Sequence, residues 1–153
     1  AMPPRLERAG VTIAESRLLD ARREWEGLAD LEGQADRVLV DAPCSGTGTW
    51  RRNPEGRWRL TSARLARLAG EQDRLLALAA RLVKPGGTLT YVTCSVLPDE
   101  GEARITAFMK AHPGFRTDPF QLPGDAGAAD QRVLTPLRDG CDGFFIARLA
   151  RVC

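Results

Sequence analysis

Apolar positions recur along this chain with two periods, and the change from one to the other divides it into elements. Val11 to Leu19 reads as a short strand ending at Asp20. Arg37-Val-Leu-Val-Asp41 is apolar throughout between polar ends, the pattern of a strand buried on both faces of a parallel sheet. From Thr61 to Val83 the residues Leu65, Leu68, Leu75, Leu76, Ala79 and Leu82 recur close to the helical period. Thr61 or Ser62 offers a hydroxyl to cap that helix, and Lys84-Pro-Gly-Gly87 stops it. Thr88 to Thr93 is a further strand, rich in β-formers. Pro98-Asp-Glu100 opens a second helix with Ile105, Phe108 and Met109 on its apolar side, ended by His112-Pro-Gly114. Phe115 to Asp130 has no period and reads as a loop. Arg132 to Leu137 and Phe144 to Leu149 read as two strands joined by the turn Arg138-Asp-Gly-Cys-Asp-Gly143.

Strand, strand, helix, strand, helix and hairpin in that order predict an α/β fold, with a mostly parallel sheet and an antiparallel hairpin at its end. The 153 residues form one domain on this reading, 1–153, without repeats or a linker. A net charge of +2 is too small to imply a nucleic-acid partner, but its distribution is uneven. Between Arg51 and Gly70 stand six arginines, Arg51, Arg52, Arg57, Arg59, Arg64 and Arg67, against one acid, Glu55. Such a segment is either a solvated surface or a phosphate-binding one, and Trp50 and Trp58 within it either stack on bases or join the core.

The four cysteines, Cys44, Cys94, Cys141 and Cys153, lack metal-ligand spacing, and with His112 as the only histidine no metal site is expected. No secretory leader is visible, so a reducing, cytoplasmic setting with free thiols is expected. No apolar run approaches the roughly 18 residues of a membrane span, and no membrane partner is expected.

Ligands of open α/β sheets bind beyond the carboxyl ends of the strands. Three such ends carry polar residues here: Asp20, then Asp41-Ala-Pro-Cys44, then Thr93-Cys94-Ser95. Parallel strands would bring two thiols and two carboxylates to one rim. Each has a plainer explanation taken singly. A strand-end cysteine is often a packed small hydrophobe, and a strand-end aspartate often caps a turn. Gly46 and Gly48 permit a tight turn with close backbone approach to a ligand, yet Gly46-Thr-Gly48 lacks the third glycine of a dinucleotide fingerprint. Cys141, in a turn, and Cys153, at the terminus, carry no expected role.

Val38-Leu-Val-Asp-Ala-Pro-Cys-Ser-Gly-Thr-Gly-Thr49, Arg51-Arg-Asn-Pro54 and Leu82-Val-Lys-Pro-Gly-Gly-Thr-Leu-Thr-Tyr-Val-Thr-Cys-Ser95 resemble the RNA cytosine carbon-5 methyltransferases, and within them the Sun/Fmu group acting on 16S ribosomal RNA. The likeness runs from about Leu6 to Leu149 and includes Asp142-Gly-Phe-Phe-Ile-Ala-Arg148. It implies a partial Rossmann-like fold that uses S-adenosylmethionine, with strand order 3-2-1-4-5-7-6, of which this chain supplies strands 3 to 7. It implies Cys94 as nucleophile toward cytosine carbon 6, Cys44 as the residue assisting product release, and Asp41 on the cytosine edge and toward the cofactor. Asp20 would accept from the adenine amino group, and Arg51 and Arg52 would meet RNA.

The family's first two strands, with the glycine-rich loop that holds the methionine end of the cofactor, precede the match. The chain is therefore expected to be the carboxy-terminal part of a catalytic domain, with an incomplete cofactor site and no activity by itself. Strand 3 would stand about 14 Å from strand 4 across the gap. The bared edge of strand 4 is expected to be covered, by strand 3 closing up or by a second copy forming a homodimer. A module that binds RNA without turnover is the alternative function. DNA methylation is disfavoured, because those enzymes place their nucleophile near the equivalent of Cys44 and lack the Thr-Cys-Ser element.

Overall fold

Which apolar runs become strands is decided by whether their backbone groups find partners. The structure, a computed structural model, describes residues 3–152, so Cys153 lies outside the described residues. It divides into two units, Ala1–Asp30 and Leu31–Cys153. In the first, α1 (Pro3–Arg8) precedes an irregular stretch, and Glu24–Gly27 forms a 3-10 turn. The strand expected at Val11–Leu19 does not form. No strand ladder runs along it, and Val11, Ile13 and Leu18 are exposed instead of facing a core. Charge orders this stretch: Arg17 ion-pairs with Glu15 and with Asp30, each at 2.5 Å, and donates to the Gly27 carbonyl at 2.8 Å. The guanidinium holds both carboxyls below the usual carboxylate range.

In the second unit the apolar run 38–40 forms the middle of β1 (Ala35–Asp41). Helix α2 (Ser62–Leu82) begins where Thr61 Oγ1 accepts from Arg64 N at 3.2 Å, the expected hydroxyl cap. Strand β2 spans Val83–Thr93 and so includes the Lys84-Pro-Gly-Gly87 that was read as a helix stop alone. The register slips there, Ala35 facing Val83 but Arg37 facing Thr88, and Gly86 takes a φ of 75° that the bulge requires. A 3-10 turn at Pro98–Glu100 leads into α3 (Glu102–Ala111). The expected loop after it contains a short strand, β3 (Phe115–Thr117), and a bridge between Phe120 and Ala129. Strand β4 (Gln131–Leu134) is shorter than expected because Thr135 caps a helical turn, α4 (Pro136–Asp139). Strand β5 (Phe144–Arg151) closes the sheet.

The order is β1-β2-β5-β3, with β4 also on β5. β1 and β2 are parallel and β5 is antiparallel to β2, β3 and β4, so four of the five strands run one way. This is the mostly parallel sheet with a closing antiparallel hairpin, in the expected order 4-5-7-6. Leu76, Ala79, Ile105 and Phe108 from α2 and α3 pack with Leu89, Tyr91, Phe145, Ala147 and Leu149 in one core. Each fully buried leucine contributes about 1.5–3 kcal/mol. Among the described residues β1 pairs with β2 alone, so no strand closes up on its other side. Leu39, read as buried on both faces, is 67% exposed because only one face of β1 meets the core. No helix of the described residues is long and apolar enough to cross a membrane.

Candidate active site

Parallel pairing of β1 and β2, with Asp41 opposite Val92, brings the two cysteine-bearing loops out at the same edge of the sheet. Both loops carry Cys-Ser, two residues beyond Ala42 after β1 and directly after Thr93 of β2. Cys44 Sγ and Cys94 Sγ lie 3.2 Å apart, near enough to share one proton. The two thiols are driven in opposite directions. Hydrogen bonding from Cys44 holds the Cys94 thiol down at about 7, against the opposing effects of burial and of the Asp41 and Glu100 carboxylates. Cys44 is pushed well above the ordinary thiol value, first by keeping the proton it shares with Cys94 and then by burial. Of the two, Cys94 is the thiol the more readily ionised, with Cys44 as its hydrogen-bond donor.

The loops are fastened to each other beyond the sulfurs. Gly48 N donates to Cys94 O at 3.0 Å, and Val96 N donates to Thr47 Oγ1 at 3.1 Å. Thr47 Oγ1 and Ser95 Oγ share a hydrogen bond at 3.0 Å, and Leu97 N donates to Ser95 Oγ at 3.1 Å. Gly46 turns the first loop with a φ of 73°. Gly48 makes its close approach to protein backbone: a Cβ there would lie 2.0 Å from the Gly143 carbonyl oxygen, and Gly143 N donates to Gly48 O at 2.8 Å.

A buried carboxylate that sequence reasoning read only as part of a helix start sits behind this loop. Glu100 is 0% exposed. Its Oε1 accepts from Ser45 N at 2.8 Å and from Gln72 Nε2 at 3.1 Å, and its Oε2 accepts from Ser45 Oγ. Gln72, on α2, also donates to Pro43 O at 2.9 Å, and Tyr91 Oη donates to Glu100 O at 2.8 Å. No local pattern in the sequence links Glu100 to Ser45 or Gln72.

Asp41 ends β1 with an exposed side chain that accepts no hydrogen bond from a described residue. Asp20 lies in the first unit, exposed, at a turn in which its carbonyl accepts from Arg23 N at 2.9 Å, and not at a strand end. Both are acceptor groups open to a ligand's N–H or O–H donors. Arg51 and Arg52 are exposed but engaged: Asp142 meets Arg52 at 2.5 Å and Arg51 at 3.6 Å. Those arginines hold the Asp142 carboxyl below its usual range, Arg52 foremost. Trp58 is 77% exposed with the Arg57 guanidinium 4.6 Å over its ring, while Trp50 is half-buried. Cys141 donates to the Asp142 carbonyl and takes no part in the thiol pair.

A family model described as 16S rRNA methyltransferase RsmB/F matches residues 3–150. The chain is 44% identical over 119 residues to the ribosomal RNA small subunit methyltransferase B of Thermus thermophilus, covering 78% of this chain and 30% of that protein. It is 42% identical over 159 residues to the probable ribosomal RNA small subunit methyltransferase B of Synechocystis, covering 96% and 35%. Among solved structures, PH0851 is 41% identical with a TM-score of 0.82, over 94% of this chain and 32% of that one. NSun6 from Pyrococcus horikoshii with SFG is 27% identical with a TM-score of 0.79, over 99% and 38%. The chain spans about a third of the length of the curated relatives it matches.

Proposed function

The chain belongs to the 16S rRNA methyltransferase RsmB/F family, and on that premise we propose that the protein carrying it methylates carbon 5 of cytosine in RNA, 16S ribosomal RNA foremost. The carrying observation is the thiol pair, Cys44 and Cys94 at 3.2 Å, in which Cys94 is the thiol held down. Carbon 5 of cytosine is too electron-poor to take a methyl group directly. The Cys94 thiolate adds to carbon 6, the carbon 5–carbon 6 double bond gives up its electron pair, and carbon 5 becomes nucleophilic. Asp41 hydrogen-bonds the cytosine edge and favours protonation of the ring nitrogen. S-adenosylmethionine, when bound, supplies the methyl group on a sulfonium.

Cys44 then acts on the product side. Once Cys94 is bonded to carbon, it is no longer a charged acceptor for the Cys44 hydrogen bond, and the first cause that raised the Cys44 thiol disappears. Cys44 can then give its proton to solvent and, as a thiolate, remove the proton from carbon 5; the freed electron pair restores the carbon 5–carbon 6 double bond as the carbon 6–sulfur bond breaks and releases the Cys94 thiolate. An RNA-binding module without turnover would have no use for this pair.

By the family likeness, Asp41 would face the S-adenosylmethionine of the whole protein, and Asp20 is the residue that likeness assigns to the adenine amino group. Each carboxylate is exposed, and NSun6 was solved with SFG. Arg51 and Arg52 would meet RNA phosphates. The chain is read as the carboxy-terminal part of one catalytic domain.

The test is methyl transfer by the full-length protein from tritiated S-adenosylmethionine to 16S ribosomal RNA, with the label located in 5-methylcytosine. Cys94→Ala abolishes it. Near-normal turnover in that variant refutes the assignment.

A further inference from the structure

We propose that Glu100 is the positioning residue of the thiol pair, holding both flanks of Cys44 so that its sulfur stays against Cys94. The inference rests on the reading of Cys94 as nucleophile. Beyond the sulfurs, the shorter direct bonds between the two cysteine loops lie at Thr47 and Gly48, and beside Cys44 there is only the long Ser45 Oγ–Ser95 Oγ contact at 3.4 Å. The residues on either side of Cys44 are held by other partners. Ser45, after it, gives both its N–H and its hydroxyl to Glu100. Pro43, before it, has its carbonyl bound by Gln72, which in turn donates to Glu100. Glu100 thus joins the loop after β1 to α2 and to the turn after β2.

The energetics exclude a mainly electrostatic role. Burying a carboxylate costs several kcal/mol unless donors replace water, and here three donors do so. Its charge raises both thiols, so it works against the thiolate at Cys94. A fold that keeps such a charge beside its nucleophile gains something other than field. What it gains is the fixed place of Cys44, whose hydrogen bond lowers the Cys94 thiol by more than Glu100 raises it.

The test follows Cys94 alkylation by iodoacetamide against pH in the full-length protein, the site resolved by peptide mass spectrometry. The charged and titratable groups that face Cys94 are Cys44 and Asp41 from β1 and its loop, Glu100 from the turn, and Arg52. Glu100→Ala frees the loop, and the Cys94 midpoint rises from about 7 toward the ordinary thiol value of about 8.5. Glu100→Gln keeps an acceptor for Ser45 N–H and removes the charge, so its midpoint stays at or below that of the unchanged protein. Ser45→Ala, with the charge kept and one bond lost, shows a smaller rise and carries the test should Glu100→Ala fail to fold. In methyl transfer, Glu100→Ala lowers kcat and leaves KM for RNA unchanged. A Glu100→Ala midpoint at or below the unchanged protein's overturns the proposal, as does a Ser45→Ala midpoint that does not move. Alkylation needs neither RNA nor cofactor. A protein that transfers no methyl group to cytosine while its Glu100→Ala midpoint rises therefore refutes the function and leaves the positioning role standing.

Discussion

Replacing Cys44 by alanine separates the two halves of the chemistry, and the thiol geometry sets the size of both effects. The substitution removes the donor 3.2 Å from Cys94 and leaves the burial of Cys94 and the nearby carboxylates in place. Cys94 then moves from about 7 to at least the ordinary value of about 8.5. At pH 7 its thiolate fraction falls from about one half to about 3%, roughly a 15-fold loss, while the more basic thiolate is only about fivefold more nucleophilic. Addition to RNA is therefore slowed about threefold at pH 7, and its rate rises about 25-fold by pH 9, against about twofold with Cys44 present. Release, lacking its base, stalls. A labelled RNA incubated with full-length Cys44→Ala protein and S-adenosylmethionine accumulates as a covalent complex on a denaturing gel, slowly at pH 7 and quickly at pH 9. Absence of the complex at both pH values refutes the release role of Cys44. A complex that forms equally fast at both refutes the claim that Cys44 holds the Cys94 thiol down.

Arg51→Ala and Arg52→Ala each weaken binding to RNA of any sequence and reduce the salt slope by about one, measured by filter binding at several salt concentrations. An unchanged slope assigns these arginines to Asp142 alone. Gly48→Ala drives a Cβ to 2.0 Å from the Gly143 carbonyl oxygen, so backbone must part and the bond from Gly143 N is lost. Overpacking and that bond together cost about 2–4 kcal/mol, seen as a lowered Tm by calorimetry. A Tm equal to that of the unchanged protein contradicts the close contact.

Local signals were legible in the sequence, and of the long-range ones only the meeting of the two cysteine-bearing strand ends was. Thr61 and the period from Leu65 to Leu82 announce α2 because a cap and an apolar stripe lie within the helix itself. Cys44 and Cys94 were legible as neighbours because two parallel strands end on the same rim. Val11–Leu19 has the composition of a strand, but a strand exists only where a second backbone pairs with it. β3, at three residues, is too short to show a period and is specified by its partner β5. Glu100 reads as an ordinary acid before a helix. Its burial depends on Ser45 and Gln72, which no local pattern links to it.

β5 follows β3 and β4 in sequence and lies between β2 on one side and those two strands on the other. Synthesis on the ribosome therefore delivers β3 and β4 before the strand that both require. Until β5 emerges, their backbone groups face water and Tyr91 lacks Phe145 against its ring. Its arrival also brings Gly143 onto Gly48, closing the turn that carries Cys44. Both cysteines are thus translated long before the site exists, and a nascent chain halted short of Phe144 would carry the chemistry without the clamp. The thiol pair is brought together by β1 and β2, but its turn is clamped through Gly143 only when the sheet is completed.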